Sequence, residues 1–541
     1  MKTPKINCRT AIFALGSAMI AAVLAAPAPA RAATTPVATF VPVPYTATSE
    51  PFNHRIEELA DQHTGYTERE FLVSGNANLY MKDATTGNAV VNTPNHPFTS
   101  RILVRLPADP AKFSGNVVME VYNGTPGYDA DVEWSQTKEL LLRHGDIWVG
   151  LTNGTGPVNV LKNDYAPKYA PGRYDALNFT SAGYVWDLIS QTGAMLKNNA
   201  TTQLLPGYKV KRVYAMAESG AAQTLTLYIN DIHPFWRMPN GGPIFDGFMP
   251  DERFGTGSTL APGVAAWPTC SPRLVLHSDV PIMNVETQPD LVSSQAWCVR
   301  RADSNAKGDR FRSWELPGSP HLTPLVTDDD NSHRDLDGTP FVYSTFTCTH
   351  QSAQSTFPKE YFKQAALGAL YRWVDHNIAP PSAQPIALVT PTPPALTPVS
   401  YVLDANGNET GGLRTPFVDF PDRKWVVNDT TVTSTGPLGA LFCTLYGYTV
   451  PFTDAQLDAL YKSHDQYVDE VVKETDKLLE QGFLQRWNAR TIKYNAKQSF
   501  IPTAISDDIN PDFDHDRDRH DHDDHHGWPF DRDFDRDDFG R

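Results

Sequence analysis

The stretch Val213-Tyr214-Ala215-Met216-Ala217-Glu218-Ser219-Gly220-Ala221-Ala222-Gln223-Thr224 decides how the chain is read. Residues 211–217, apolar from Val213 on, predict a strand, and residues 221–230 predict a helix, so Ser219 falls where a strand turns sharply into a helix. Ala217, Gly220 and Ala221 around it are small, as so tight a turn requires, because larger side chains would collide with the sheet. A serine in such a turn stands above the strand ends with its hydroxyl free to act as a nucleophile. The plainer alternative is a serine capping a helix. Both outer glycines of the usual G-x-S-x-G are alanine here, and spacing alone leaves the two readings open.

Working outward, short apolar runs alternate with helical patterns. Residues 117–122, 147–151, 244–249, 281–285 and 311–316 read as further strands, and residues 134–144, 184–197 and 362–377 as helices. Strand, helix, strand repeated this often implies an α/β class protein with a mainly parallel central sheet and helices on both faces.

Chain order then favours the nucleophile. In this architecture the acid follows a later strand and the histidine follows the last one. Pro281-Ile282-Met283-Asn284-Val285 is followed by Glu286 and Asp290, and Trp314-Glu315-Leu316-Pro317-Gly318-Ser319-Pro320-His321 puts a histidine in a turn past a strand. His321 can act as general base, and a carboxylate on its other nitrogen would fix the tautomer and stabilise the imidazolium. Asp290 is preferred for that carboxylate; Glu286 is the second candidate, with a structural partnership as its other reading. Glu315 lies within a strand, further from the imidazole. Donors for a tetrahedral oxyanion are expected from the N–H of Gly220 and from Asn123-Gly124 after the strand ending at Tyr122, although Asn-Gly is also an ordinary turn dipeptide. Chemistry of this kind needs no cofactor and no metal.

Other segments carry a resemblance. Thr99-Ser100-Arg101-Ile102-Leu103-Val104-Arg105-Leu106-Pro107 and Phe113-Ser114-Gly115-Asn116-Val117-Val118-Met119-Glu120-Val121-Tyr122-Asn123 resemble a family of exported bacterial α/β-hydrolase domain proteins. The likeness continues through Trp148-Val149-Gly150, the turn at Ser219, Phe245-Asp246-Gly247, Trp314 to Gly318 and His321, and returns in Asn406-Gly407-Asn408-Glu409-Thr410-Gly411-Gly412-Leu413-Arg414-Thr415-Pro416. It implies an α/β-hydrolase fold with Ser219 as nucleophile, His321 as base and an acid between Glu286 and Asp290. The family's turn is commonly Gly-x-Ser-Gln-Ser, and where it often carries Glu in the acid segment this chain has Gln288.

The 541 residues hold 62 acidic and 46 basic side chains, a formal charge of −16. That balance argues against a nucleic-acid partner, since phosphate neutralisation needs a surplus of Lys and Arg. Lys2, Lys5 and Arg9 precede an apolar run, residues 11–26, and Ala30-Arg31-Ala32 offers a small-x-small cleavage site, so residues 1–32 read as a signal peptide. A run of roughly 16 residues is short of the ~20 of a membrane span. No other segment is long and apolar enough to span a bilayer, and the mature chain is expected in the periplasm or outside the cell. Cys270, Cys298, Cys348 and Cys443 then suit two disulfides with three possible pairings, Cys270 with Cys298 preferred because they flank one insertion.

Residues 33–379 read as the hydrolase body, with a Pro- and Gly-rich insertion near 255–280 as lid or pocket wall. Seven prolines in residues 380–398 make an extended connector. Residues 399–506 form a C-terminal extension, in which Thr453-Asp454-Ala455-Gln456 has capping-box spacing ahead of one long amphipathic helix that must dock on the body. Residues 507–541, with 14 Asp against 5 Arg and several His, have too little apolar content to fold. The function expected is hydrolysis of carboxylic esters, small or polymeric, through an acyl-enzyme. The rivals are an amidase or acyltransferase with the same residues, a binding protein on a catalytically dead hydrolase scaffold, and a metal-binding or attachment role centred on the tail.

Overall fold

The computed structural model describes residues 33–326, 348–389, 400–429, 439–499 and 501. The leader, residues 390–398 of the proline-rich connector and the acidic tail lie outside the described residues. Among the described residues nine strands form one sheet: β1 (Thr39–Val43), β2 (Tyr66–Lys82), β3 (Ala89–Pro107), β4 (Asn116–Val121), β5 (Ile147–Leu151), β6 (Arg212–Glu218), β7 (Gly247–Asp251), β8 (Ile282–Thr287) and β9 (Phe311–Leu316). Their spatial order is β9-β8-β7-β6-β4-β5-β3-β2-β1. β4 to β9 pair in parallel, while β1, β2 and β3 form an antiparallel edge.

Side-chain alternation explains why the central strands read as continuous apolar runs. Along β6, Val213, Ala215 and Ala217 enter one core, with helices α2 (Val185–Lys197) and α3 (Gly220–Leu227). Tyr214 and Met216 enter the other, with α1 (Val132–His144) and α4 (Lys359–His376). A strand covered on both faces has no solvent side on which to be polar. The periodicity therefore located β4, β5, β6, β8 and β9 within a residue or two.

Two local readings are corrected. The strand expected over 244–249 starts only at Gly247, because the Asp246 carboxylate accepts the Val213 N–H at 2.8 Å and so stands in for a ladder partner while Ile244 and Phe245 pack as buried loop. The single long helix expected after Thr453 is two. Thr453 and Gln456 do form the capping box of α5 (Asp454–Leu460), but Tyr461 is extended, its hydroxyl bonded to the Pro421 carbonyl, and Ser463 caps a new helix, α6 (His464–Gln481), followed by α7 (Arg486–Gln498). A second capping residue beside an anchored aromatic makes a restart cheaper than continuation.

The extension shares a core with the body. Phe483 packs its ring 4.8 Å from that of Trp314 on β9, and Trp487 donates to Gln364 on α4 at 3.0 Å. The cysteines pair as Cys270–Cys298 and Cys348–Cys443, the second joining the body to the extension. The 255–280 insertion is irregular but packed: Leu260 and Trp267 are buried, and Gln223 on α3 donates to the Thr256 carbonyl at 3.0 Å. It packs beside α3.

Because Phe483 fills a core common to both parts, Phe483→Ala should cost ~3–5 kcal/mol. The urea midpoint of the whole chain should fall in one transition; a separate early transition confined to the C-terminal helices would show that the extension is an independent unit.

Candidate active site

β6 runs between β4 and β7, with Glu218 opposite Asp251. Ser219 follows at φ 58°, ψ −125°, a backbone state that side-chain-bearing residues adopt rarely. Such a state costs of order 1–3 kcal/mol and persists only when its surroundings hold it. Here the Ser219 N–H donates to the Asp251 carbonyl at 3.0 Å and its own carbonyl accepts from Gln223 at 3.1 Å, starting α3. Ala217, Ala221 and Ala222 are buried against the sheet, which is why they are small.

The turn after β9 carries His321. Gly318 has φ 78°, and a Cβ there would lie 2.9 Å from Val418 and 3.3 Å from Trp425, so the extension presses on a position only glycine fits. Its N–H donates to Gln288 Oε1 at 2.7 Å. His321 Nε2 lies 3.0 Å from Ser219 Oγ, and Nδ1 lies 2.8 Å from Asp290 Oδ1. Asp290 is oriented by the Thr287 hydroxyl on its other oxygen and by Ser294 at 3.4 Å. An imidazole in this position can take the serine proton, with a carboxylate behind it.

Glu286 is not brought to the imidazole. It lies within β8 with Arg253 Nε 3.1 Å away, while the Arg253 hydrogen bonds go to Asn284 and to the carbonyls of Leu274 and Val299. Burial pushes its carboxyl well above the usual range. Glu315 is likewise engaged elsewhere, by Arg300 at 2.7 and 2.6 Å and by the Ile386 N–H.

Sequence reading missed a carboxylate that the fold does bring in. Glu252, just past β7, puts Oε2 3.3 Å from His321 Nδ1. Lys359 Nζ donates to Glu252 at 2.7 and 2.9 Å and to the His321 carbonyl; Lys363 Nζ reaches Glu252 at 3.3 Å and Glu133 at 3.2 Å. All these side chains are buried. The one signal available was Asp251-Glu252 at the carboxyl end of a parallel strand, where α/β sites gather.

Electrostatics follow from this crowding. Burial alone would lower the His321 pKa, but the charge and hydrogen bond of Asp290, then the charges of Glu252 and Glu218, outweigh it and raise it to about 9. Burial favours the acid form of Glu252, yet the ammonium groups of Lys359 and Lys363 and the imidazolium hold it at about 2. Burial, reinforced by the Glu252 charge, lifts Glu218 to about 7. Glu218, Glu252 and His321 offer ligand atoms within 4.8 Å of one another. The two lysine ammoniums already supply the positive charge that a metal ion would bring there, so the donor set does not fit a cation.

Of the expected oxyanion donors, Asn123 is corrected. Its N–H is bonded to the Ala130 carbonyl at 3.1 Å, and its side-chain oxygen accepts the Thr125 N–H at 3.0 Å. Among the described residues neither the Gly124 nor the Gly220 N–H has an acceptor. The loop closes on the turn, Thr125 Oγ1 being 2.9 Å from where a Gly220 Cβ would stand. Its far end is held by Asp129 and Asp131, which accept from Arg101 at 3.0 Å, Arg55 at 3.0 Å and Arg105 at 2.7 Å. Thr125 is exposed and Gly124 and Gly220 half-buried, whereas Ser219, expected to stand exposed above the strand ends, is itself buried beneath them.

A strand, a sharp serine turn, a helix and a histidine after the last parallel strand define a hydrolase-type α/β protein. The chain belongs to the alpha/beta hydrolase domain family, whose pattern it matches over residues 39–493. No curated protein matches it. Solved structures it is similar to include the esterase Est22 (11% identity, 52% of this chain and 82% of that one, TM-score 0.29). The carboxylesterase Cest-2923 of Lactobacillus plantarum shows 11% identity over 53% and 97% of the two chains, TM-score 0.27. A thermostable esterase of Pseudomonas putida shows 12% identity over 48% and 78%, TM-score 0.27. The family rests on the sequence match and the fold; likenesses this distant add no argument about the site.

His321 should titrate by NMR near 9 and remain imidazolium at pH 7. A value at or below 6.5, that of an unperturbed histidine, would mean that burial outweighs the charges of the carboxylates around it.

Proposed function

We propose that the protein is an exported serine hydrolase of carboxylic esters. The observation that carries this reading is the relay from Ser219 Oγ to His321 Nε2 at 3.0 Å and from Nδ1 to Asp290 at 2.8 Å. His321 takes the Ser219 proton as Oγ attacks the acyl carbon; the oxyanion is met by the Gly220 and Gly124 N–H groups, and Asp290 stabilises the imidazolium. The imidazolium then protonates the departing alkoxide. Water, activated by the same imidazole, cleaves the acyl-enzyme and releases the acid and free Ser219. The leader pattern and the two disulfides support export, and no helix among the described residues is long and apolar enough to cross a membrane.

A fluorophosphonate probe should label the wild type and leave Ser219→Ala unlabelled; an unlabelled wild type would favour a binding protein on a hydrolase scaffold. In a panel of p-nitrophenyl esters and matching anilides, esters should turn over, and turnover of anilides alone would make it an amidase. A base must be neutral to act, so a raised His321 pKa removes activity on the acid side: kcat/KM should climb with pH up to about 9. A plateau already reached at pH 7 would contradict the charge crowding at the imidazole. Removal of residues 507–541 should leave ester turnover unchanged; its loss would give the tail a part in the chemistry.

A further inference from the structure

Two carboxylates, from different strand ends, face the same ring nitrogen. Asp290 comes from the segment after β8 and holds Nδ1 at 2.8 Å; Glu252 comes from the end of β7 and stands 3.3 Å away. A lysine counter-ion alone would need no such orientation. Lys359 bonds both Glu252 oxygens and also the His321 main-chain carbonyl, so one ammonium fixes the carboxylate relative to the ring it faces. Glu252 also sits at φ 53°, a costly state for a residue with a side chain, and its N–H is anchored on the Val285 carbonyl at 2.8 Å. Strain held by specific bonds beside a reacting group points to a positional role.

We propose that Glu252 is a second positioning residue for His321, able to accept the hydrogen bond from Nδ1–H and so keep the imidazole in its working tautomer when Asp290 does not. This rests on the reading of Ser219, His321 and Asp290 as a relay. A small tilt of the ring moves the Nδ1–H bond from one carboxylate to the other, without bond making or breaking elsewhere. Lys359 and Lys363 keep Glu252 ionised whichever carboxylate accepts the Nδ1–H bond, so the imidazolium formed during turnover faces an anion in both arrangements.

The test compares kcat and KM for a p-nitrophenyl ester in wild type, Asp290→Asn, Glu252→Gln and the double variant, with folding checked by circular dichroism. Where one acid serves the histidine, Asp→Asn costs about 10⁴-fold in kcat. Here Asp290→Asn alone should lose no more than about 100-fold, and adding Glu252→Gln should bring the total near 10⁴-fold, with KM little changed because only the imidazole is disturbed. A 10⁴-fold loss in Asp290→Asn alone, or a double variant no worse than Asp290→Asn, overturns the proposal. Should Glu252→Gln fail to fold through loss of its lysine partner, Asp290→Asn combined with Glu252→Asp serves instead. That change keeps the charge for Lys359 but draws the carboxylate back from Nδ1, and the same additional loss of kcat is expected. A wild type that neither turns over esters nor takes the fluorophosphonate would instead sink the relay itself, a result distinct from either outcome above.

Discussion

The backbone of Ser219 is the constraint on which the rest of the molecule depends. A φ of 58° is tolerated because β6 is clamped between two parallel neighbours and because the next strand, β7, offers the Asp251 carbonyl to the Ser219 N–H. With the turn fixed, the side chain can project only above the carboxyl ends of the strands. Everything else that reaches it, the Asn123–Thr125 loop, Glu252, Asp290 and His321, comes from the ends of those same strands, as parallel topology requires.

The site is also a place where charge has been buried at a cost. Glu218, Glu252, Asp290 and His321 lie together away from water, and Lys359 and Lys363 on α4 balance them. Removing one partner from such a cluster strands the others, which ties the first turns of α4 to the histidine more firmly than packing would. The extension contributes from the other side: Val418 and Trp425 cover Gly318, Leu322 donates to the Leu445 carbonyl, and Tyr401 donates to the carbonyl of Gln288. Residues beyond the proline-rich connector thus help to shape the turn that carries His321.

Much of this was legible in one dimension. Strands buried on both faces announce themselves as apolar runs, a sharp turn announces itself by small residues around Ser219, and the order serine, acid, histidine follows from the order of the strands. Asp290 and Glu286 could not be separated by spacing, since four residues decide whether a side chain lies inside a ladder or on the helix that follows it. Glu252 left almost no trace: one acidic residue after a strand looks like any solvated strand end until Lys359, 107 positions later, is seen to hold it. Asn123 reads as a donor in sequence, and only its bridge to Ala130 shows that its N–H is already in use.

The sequence by itself determined the α/β class, the positions of the central strands and the turn at Ser219, because those depend on local periodicity and on the size of adjacent side chains. The tertiary structure alone decided which carboxylates meet His321, which N–H groups remain free beside Ser219, and how the extension braces the histidine turn. Those are distances between strand ends and helix faces far apart in the chain, and they are set by packing, which local pattern does not encode.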